Sequence, residues 1–334
     1  MKLATIEKIN KIKKHPNADK LEIVEVLGYQ CVVPIGLHKE GDLVVYIQPD
    51  TVLPNDQEWA KEYLKYSPKR VKAVKLRGEF SEGVIVPLLK WGEENIINQL
   101  NNKDIAIGME VSDTIGVTKY DPPLPNDCNF IGPLPYGISK TDEERVENIS
   151  EENIPFGELV DITLKLDGQS TSHGFKVDEE KYFVTGRNFE INLNEENRYS
   201  IHAPTVKDKI IDYCKEEGVS LLFRGESYGS GIQNNNNNPH SKKPKSLAFF
   251  SIYNIDERKY ERKGSKHYFV NVCEKLGLEY VNILEKDVVL TKELISKYSK
   301  ELEKLPNGDS FEGVVINHKN GSFKIINKFY DSNK

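Results

Sequence analysis

A proline-rich segment near the middle of the chain most constrains how this sequence can fold. Residues 120–137 read YDPPLPNDCNFIGPLPYG, and five of these positions are proline. Proline lacks a backbone N–H and its ring clashes with a preceding helical turn, so the segment cannot continue a helix or a central strand. We therefore predict a linker over residues 116–140, which separates a first domain at 1–115 from a second at 141–334.

The first domain contains short runs rich in β-branched and aromatic residues. Turn residues such as Gly28, Gly36 and Gly41 separate these runs, as expected for strands joined by turns. The predicted strands are LEIVEV (21–26), QCVVPI (30–35), LVVYI (43–47), KAVKL (72–76) and GVIVPL (83–88). Several short strands at this spacing are typical of a small closed barrel.

Positive charge is concentrated in one segment of an acidic protein. The net charge is −6, yet residues 61–77 contain seven Lys or Arg and only one acidic residue. This segment is predicted to contact a phosphate backbone, with Tyr63 and Tyr66 available for stacking on bases. A solvated charged face is the alternative. The candidate contacts to nucleic acid are Lys69, Arg70, Lys72, Lys75 and Arg77.

Strand-like and helix-like runs alternate in the second domain, which predicts an α+β fold. Thr205 is expected to cap a helix that ends at Gly218, and Thr291 to cap another helix. An asparagine-rich stretch, 233–245, is predicted to be a mobile surface loop. The predicted strands are ELVDITLKLDG (158–168), SLLFRGE (220–226), LAFFSIYNI (247–255), FEGVVIN (311–317) and SFKIIN (322–327).

No part of the sequence has the composition of a secretion signal or a membrane span. The first residues carry charges at Lys2, Glu7 and Lys8, and no stretch approaches the roughly 20 apolar residues that a span requires. The four cysteines form no CxxC pair, which favours reduced thiols over disulfides or a zinc site. We expect a soluble, intracellular monomer of the cytoplasm or nucleus that does not bind membranes.

Lys165 lies in a run whose pattern is typical of a strand. In VDITLKLDG (160–168) apolar and polar residues alternate, which places Lys165 and Asp167 on the same polar face. Lysine is a nucleophile only when it is neutral, and a metal ion held by a neighbouring carboxylate favours that form. Gly168 allows the backbone to turn close to a bound nucleotide. The KLDG pattern alone is weak evidence, because a solvated strand lysine could have the same neighbours.

Four further segments follow KLDG (165–168) in a defined order. They are FRGE (223–226), LAFFSIY (247–253), FEGVVI (311–316) and FKII (323–326). Together the five segments resemble motifs I, III, IIIa, IV and V of the covalent nucleotidyltransferases, the superfamily of ATP-dependent DNA ligases, RNA ligases and mRNA capping guanylyltransferases. The resemblance covers residues 140–334 and implies an antiparallel, ATP-grasp-like sheet.

The resemblance implies a role for each motif residue. Lys165 would attack the α-phosphate of ATP and become covalently linked to AMP. A catalytic Mg²⁺ or Mn²⁺ would be held by Asp167, Glu226 and Glu312, and Lys324 would stabilise the transition state. The residues implied to contact the nucleotide are Lys165, Arg145, Arg187, Phe250, Glu226, Lys324 and Lys328.

Three motif positions depart from the pattern common among RNA ligases. Leu164 replaces an acidic residue before the nucleophile, Ile326 replaces a second lysine of motif V, and Ser251 replaces an acidic residue after the aromatic of motif IIIa. Lys328 is expected to continue the motif V strand, about 13 Å beyond the first lysine, and to contact a different phosphate. Phe250 is the implied ring that stacks on adenine, and the adjacent Phe249 is an alternative.

The domain order resembles the fifth group of ATP-dependent RNA ligases, in which an N-terminal OB-fold β-barrel precedes a minimal nucleotidyltransferase domain. The segment HPNADK (15–20) resembles the opening of OB-fold modules that bind transfer RNA. This resemblance implies sealing of 3'-hydroxyl to 5'-phosphate ends, at nicks in duplexes with RNA on the 3'-hydroxyl side. A DNA ligase or a GTP-dependent capping enzyme is one alternative, and an RNA-binding OB protein without enzymatic activity is another.

Overall fold

A computed structural model describes residues 2–89, 96–100, 105–121, 129–138, 140, 143–194, 196–233 and 237–331. The chain divides into two compact units, built mainly from residues 1–123 and 124–330. The predicted linker prolines at 122, 123 and 125, the cysteine at 128 and the asparagines at 234–236 lie outside the described residues. The finer domain boundaries predicted from the sequence stay a prediction.

Among its described residues, the first unit contains a curved antiparallel sheet, a hairpin and two short helices. Its elements are β1 (Ala4–Lys14), β2 (Leu21–Val26), β3 (Tyr29–Pro34), β4 (Leu43–Ile47), β5 (Thr51–Val52), α1 (Glu58–Leu64), β6 (Ala73–Leu76), β7 (Glu79–Glu82), β8 (Val84–Pro87), α2 (Ile96–Gln99) and β9 (Thr118–Lys119). The main sheet has the strand order β3-β2-β1-β4-β8. Each of the five predicted strands overlaps an observed one, and β3 begins one residue earlier than predicted.

The longest of the strands that the sequence analysis did not predict, β1, accounts for the curvature. Residues 4–8 pair with β4, residues 9–14 pair with β2, and the register shifts between Ile9 and Lys11. Such a bulge bends a strand and increases its twist. The single long strand β1 therefore pairs with β4 along its first half and with β2 along its second half.

The second unit contains two antiparallel sheets and four helices among its described residues. Its elements are β10 (Phe130–Pro133), β11 (Leu159–Lys165), β12 (Gln169–Lys176), β13 (Lys181–Thr185), β14 (Phe189–Ile191), α3 (Ala203–Glu217), β15 (Leu221–Tyr228), β16 (Ser246–Asn254), β17 (Lys259–Glu261), α4 (Phe269–Leu276), β18 (Ile283–Val289), α5 (Lys292–Ser296), β19 (Gly313–His318), β20 (Gly321–Ile326) and α6 (Lys328–Asp331). Two single 3₁₀ turns (Val146–Asn148 and Glu151–Asn153) and a π-helical turn (Lys297–Glu301) complete it.

Some strands that are consecutive in the sequence lie in different sheets. The larger sheet is β10-β14-β13-β12-β15-β16-β17, and the smaller is β18-β11-β19-β20. Because β11 and β12 belong to different sheets, residues 166–168 carry the chain from one sheet to the other. The predicted α+β class with antiparallel sheets is confirmed.

The helix caps agree with the sequence in two places and differ in one. Gly218 ends α3 in the left-handed region at φ 63°, and the Thr291 side chain accepts a hydrogen bond from Leu294 N at 3.2 Å. The prediction that Thr205 caps α3 was wrong. The helix begins at Ala203 with a proline in its first turn, where a missing N–H is harmless. The Thr205 hydroxyl instead donates to the His202 carbonyl at 2.8 Å.

Two strands lie within the residues predicted to be linker. β9 pairs with β5 in the first unit, and β10 pairs with β14 in the second. Pro133 ends β10, which is an edge strand, and an edge tolerates proline because one side of the strand needs no hydrogen-bonded partner.

In the described part of the chain no helix has the length and apolar character needed to cross a membrane. Cys31, Cys214 and Cys273 are buried free thiols.

Candidate active site

Lys165 is the last residue of β11, and a carboxylate holds its side chain. The Lys165 Nζ donates to Glu312 Oε2 at 2.5 Å. Glu312 immediately precedes β19, and the register places Lys165 opposite Gly313. A side chain on Gly313 would collide with Ile325 O, 2.3 Å from its Cβ position. The glycine thus lets β19 and β20 approach closely beside the lysine.

The polar residues that precede Lys165 on its strand are buried. Asp161 and Thr163 are 1% and 2% exposed. Asp161 accepts hydrogen bonds from Lys263 Nζ at 2.5 Å and Tyr268 Oη at 3.1 Å. The sequence pattern could not reveal these partners, which lie about a hundred residues away. Lys165 itself is half-buried.

Asp167 lies beyond the end of β11 and is held by a residue that the sequence analysis missed. The Tyr330 hydroxyl donates to Asp167 Oδ2 at 2.7 Å. Burial, and then the neighbouring Asp167 charge, raise the pKa of Tyr330, so this hydroxyl stays a donor. Tyr330 is buried in α6, which follows β20 directly. The C-terminal residues therefore complete the surroundings of the motif I aspartate.

Glu226 brings the third predicted carboxylate into the same electrostatic environment. The pKa of Glu226 is raised to about 8: burial is the largest cause, the charge of Lys165 opposes it, and the charges of Glu312 and Asp167 add to it. Each of these influences acts over a short range. The predicted lysine and the three predicted carboxylates are therefore close together.

The donor chemistry of these carboxylates fits a divalent cation. Mg²⁺ and related hard cations prefer carboxylate oxygens, and positive charge would offset the mutual repulsion that raises the pKa of Glu226. Among the described residues, no three His, Cys, Asp or Glu side chains are already arranged around one point. Asp167 is turned towards Tyr330, and Glu312 towards Lys165. The metal assignment of Asp167, Glu226 and Glu312 stays a prediction.

Lys324 lies on the same face of the smaller sheet as Lys165. Gly313 is opposite Lys165, and Val315, two residues further on β19, is opposite Lys324. Directly opposed residues, and residues two apart on a strand, share a face. The Lys324 N–H donates to the Glu144 carbonyl at 2.9 Å. The next residue, Arg145, forms an isolated parallel β-bridge with Lys324. The structure thus brings Arg145 beside Lys324, the predicted catalytic lysine of motif V.

The position of Lys328 differs from the expected one. β20 ends at Ile326, and Lys328 is the first residue of α6. The strand extrapolation of about 13 Å was therefore wrong, because the chain turns at Asn327. This asparagine is fully buried; its N–H donates to the Glu312 carbonyl at 2.9 Å, and its side chain accepts from Phe329 N at 3.0 Å.

Of the two adjacent aromatic residues in motif IIIa, Phe250 is the more accessible. Phe249 is 1% exposed and packs edge-to-face on Phe223 and His173. Phe250 is half-buried and lies at a register shift, since Arg224 pairs with Ser251 but Gly225 pairs with Phe249. The bulge leaves Phe250 unpaired in the ladder. This geometry favours Phe250 over Phe249 as a ring that could meet a base.

Arg187 lies in the turn between β13 and β14 and is half-buried. The turn is closed by a hydrogen bond from Gly186 N to Phe189 O at 3.0 Å. Its predicted contact with the nucleotide stays a prediction.

The predicted nucleic-acid contacts of the first unit differ in exposure. The side chains of Lys69, Lys72, Lys75 and Arg77 are exposed. Arg70 is half-buried, lies 3.1 Å from Asp50 Oδ1 and stacks 4.5 Å above the centre of the Tyr120 ring. It therefore has a structural role in this unit.

The expectation that Tyr63 is available for stacking was wrong. Its hydroxyl donates to the Ile85 carbonyl at 3.0 Å, and its ring packs on the core around Trp59. Tyr66 is 85% exposed. The two tyrosines differ because Tyr63 lies in α1 with its ring turned inwards, whereas Tyr66 lies beyond the end of this helix.

The segment HPNADK (15–20) is attached to the basic hairpin formed by β6 and β7. His15 is buried and accepts from Asn17 N at 3.1 Å through Nδ1, so Nε2 is the donor to Leu76 O at 3.1 Å. Asn17 Nδ2 donates to Arg77 O at 3.0 Å. His15 is therefore a structural residue of the turn.

The folds of both units match known protein families. An OB-fold domain model matches residues 3–88, and an RNA ligase model matches residues 158–329. No match was found among curated protein sequences.

Solved structures of another RNA ligase resemble the whole chain. The Naegleria gruberi RNA ligase with PPi is 28% identical, with a TM-score of 0.80 over 99% of this chain and 98% of that one. A lysine-to-alanine variant of it with ATP and Mn is 26% identical, with a TM-score of 0.79 and 98% coverage of both chains. A lysine-to-methionine variant with AMP and Mn gives 26% identity and a TM-score of 0.79, over 99% of this chain and 98% of that one.

An OB-fold followed by two antiparallel sheets that carry the motif segments defines a ligase of the nucleotidyltransferase superfamily. Since the RNA ligase model matches just over half of the residues, the chain belongs to the RNA ligase family.

Proposed function

We propose that this protein is an ATP-dependent RNA ligase that forms a covalent AMP adduct on Lys165. The observation that carries the proposal is the position of Lys165 Nζ, 2.5 Å from Glu312, among two further carboxylates and on the same sheet face as Lys324. A solvated surface lysine would not need such surroundings. The Naegleria structures with ATP, AMP and Mn support the choice of nucleotide and of a divalent metal.

The first step is attack of Lys165 Nζ on the α-phosphorus of ATP. A nitrogen–phosphorus bond forms, and pyrophosphate leaves. The lysine must lose a proton first, because an ammonium group has no free electron pair. A divalent cation held by Asp167, Glu226 and Glu312 would supply positive charge that favours the neutral amine and offsets charge on the phosphates.

Lys324 and Arg145 are suited to contact the phosphates. Both are half-buried and lie side by side at the face that carries Lys165. Fixed positive charge in a partly dehydrated site stabilises the negative charge that develops on the transferred phosphate. Phe250 would stack on the adenine, because it is the accessible aromatic residue of motif IIIa.

Two further steps complete the proposed reaction. An oxygen of the 5'-phosphate end attacks the AMP phosphorus, which releases Lys165 and forms an adenylated strand. The 3'-hydroxyl then attacks the 5'-phosphate, and AMP leaves. We propose that the substrate is a nick in a duplex with RNA on the 3'-hydroxyl side, and that Lys69, Lys72, Lys75 and Arg77 contact its backbone.

The test compares nucleotides and nicked substrates with the full-length protein. Labelled ATP and GTP are incubated with the protein and Mg²⁺ or Mn²⁺, and sealing is measured on nicked duplexes that differ only in an RNA or DNA strand at the 3'-hydroxyl. We expect an adduct with ATP and sealing only where the 3'-hydroxyl strand ends in RNA. An adduct with GTP alone would indicate a capping enzyme, equal sealing of all-DNA nicks a DNA ligase, and no adduct a binding protein.

A further inference from the structure

The chain segment that links Lys165 to the larger sheet, residues 166–168, lies outside the strands of both sheets. β11 ends at Lys165 and β12 begins at Gln169, so the carbonyls of Asp167 and Gly168 lie between the two ladders. The segment is tightly packed, because a Cβ on Gly168 would lie 2.4 Å from Ser227 O. Both carbonyls accept hydrogen bonds from donors outside the two ladders.

Two side-chain amides from the β15–β16 connection supply those donors. Asn238 Nδ2 donates to Asp167 O at 2.7 Å, and Gln233 Nε2 donates to Gly168 O at 2.9 Å. Asn238 is 3% exposed, whereas Gln233 is exposed. The asparagine-rich stretch, expected to be a mobile surface loop, thus contacts the motif I turn through its described residues.

The orientation of the Asn238 amide is fixed by its other contacts. His240 N donates to Asn238 Oδ1 at 2.9 Å, so the oxygen faces the loop and the NH₂ group faces Asp167 O. Ser241 N donates to Asn238 O at 3.1 Å. The end of the loop is tied back by Ser230 N, which donates to Lys243 O at 2.9 Å. The loop's own hydrogen bonds therefore orient Asn238 independently of its contact with the turn.

We propose that Asn238, assisted by Gln233, is a positioning residue for the adenylation of Lys165. This inference rests on the proposed function. The two amides fix the Asp167–Gly168 turn and with it the direction from which Lys165 meets the α-phosphate. Attack geometry is demanding, and a displacement of about 1 Å can cost about 10²-fold in rate.

The experiment uses Asn238→Asp in the full-length protein. The substitution keeps the size of the side chain but replaces the donor with an oxygen that repels the Asp167 carbonyl. We expect the maximal rate of AMP-adduct formation to fall by about 10-fold or more, and the KM for ATP to change by less than about 3-fold. Sealing of a nick whose 5' end is already adenylated should change by less than about 3-fold, because Lys165 takes no part in that step.

Gln233→Glu is the second variant, because its exposed side chain should not affect folding. We expect a smaller loss of adduct formation, about 3-fold or more, again without loss of sealing of the adenylated nick. Lys242→Ala, which changes an exposed residue of the same loop, is the matched control and should behave like the unmodified protein.

Two results would overturn the positioning role. One is normal adduct formation by both variants. The other is an equal loss in adduct formation and in sealing of the adenylated nick, which would indicate general damage to the fold. If the unmodified protein forms no AMP adduct, the proposed function fails as well, so the two failures are distinguishable.

Discussion

The Nζ of Lys165 lies 2.5 Å from Oε2 of Glu312, where the end of β11 meets the start of β19. Because Glu312 is also a proposed metal ligand, Glu312→Gln should reduce the rate of AMP-adduct formation by about 10²-fold or more, the loss typical of an electrostatic catalytic group. The measurement is the rate of adduct formation over a titration of Mg²⁺ and Mn²⁺. Glu303→Gln, on an exposed residue, is the control. Near-normal rates for Glu312→Gln would contradict this role.

Tyr330→Phe should reduce both stability and metal affinity. The hydroxyl donates to the charged Asp167 at 2.7 Å, and loss of such a bond costs about 1–3 kcal/mol of unfolding free energy. Loss of a partner that orients a metal ligand typically weakens metal binding by about 10-fold or more. Urea unfolding and the metal concentration for half-maximal adduct formation measure the two effects.

Tyr298→Phe is the matched control for Tyr330→Phe. Its hydroxyl also donates to a carboxylate, Glu285, at 2.6 Å, in the π-helical turn. We expect this variant to lose stability without a change in the metal requirement. If the two variants have the same metal dependence, Tyr330 does not orient Asp167 for the metal.

His173 should make the fold sensitive to acid. It is fully buried against Phe249, and its Nδ1 lies 2.6 Å from the Tyr182 hydroxyl. Burial, and to a smaller extent His202, lower the pKa of His173 to about 3. The unfolded chain, with a histidine pKa of about 6.5, therefore binds more protons between these two pH values. The resulting stability is fully present above pH ~6.5 and is lost as the pH falls towards 3.

This contribution has a slope of up to about 1.4 kcal/mol per pH unit. Unfolding free energies measured by urea from pH 7.5 down to 4.5 should fall more steeply for the unmodified protein than for His173→Phe. Parallel pH dependences would show that His173 does not remain neutral in the fold.

The exposed basic residues of the first unit should determine the salt dependence of RNA binding. Replacing Lys69, Lys72 and Lys75 with Ala should flatten the plot of log affinity against log salt. The magnitude of its slope should fall by about one for each phosphate that the protein no longer neutralises. AMP-adduct formation should be unchanged, because these residues lie outside the unit that contains Lys165. Alanine at the exposed Lys286, Lys300 and Lys304 is the control, and an equal flattening there would argue against the assigned surface.

The sequence predicted the parts of the site that lie on strands. Lys165, Glu226 and Lys324 are on β11, β15 and β20 as expected, because period-two alternation and motif order define a strand and its register. Lys328 was misplaced because the sequence does not show that Asn327, held by hydrogen bonds of its backbone and side chain, turns the chain into a helix.

The sequence pattern could not predict contacts between residues that are far apart in the chain. Tyr330 and Asp167 are 163 residues apart, and Asn238 and Asp167 are 71 apart. Asn238 was one of five consecutive asparagines, a composition that favours a disordered loop. Only the fold shows that Asn238 contacts the catalytic turn.

The measurement that tests the central claim most directly is mass-spectrometric mapping of AMP on the protein after incubation with ATP and Mg²⁺ or Mn²⁺. We expect one adduct, on the peptide that contains Lys165, which is lost in Lys165→Arg while the fold remains intact by circular dichroism. An AMP adduct of undiminished yield on Lys165→Arg, or an adduct mapped to Lys324, would contradict the assignment of Lys165 as the nucleophile.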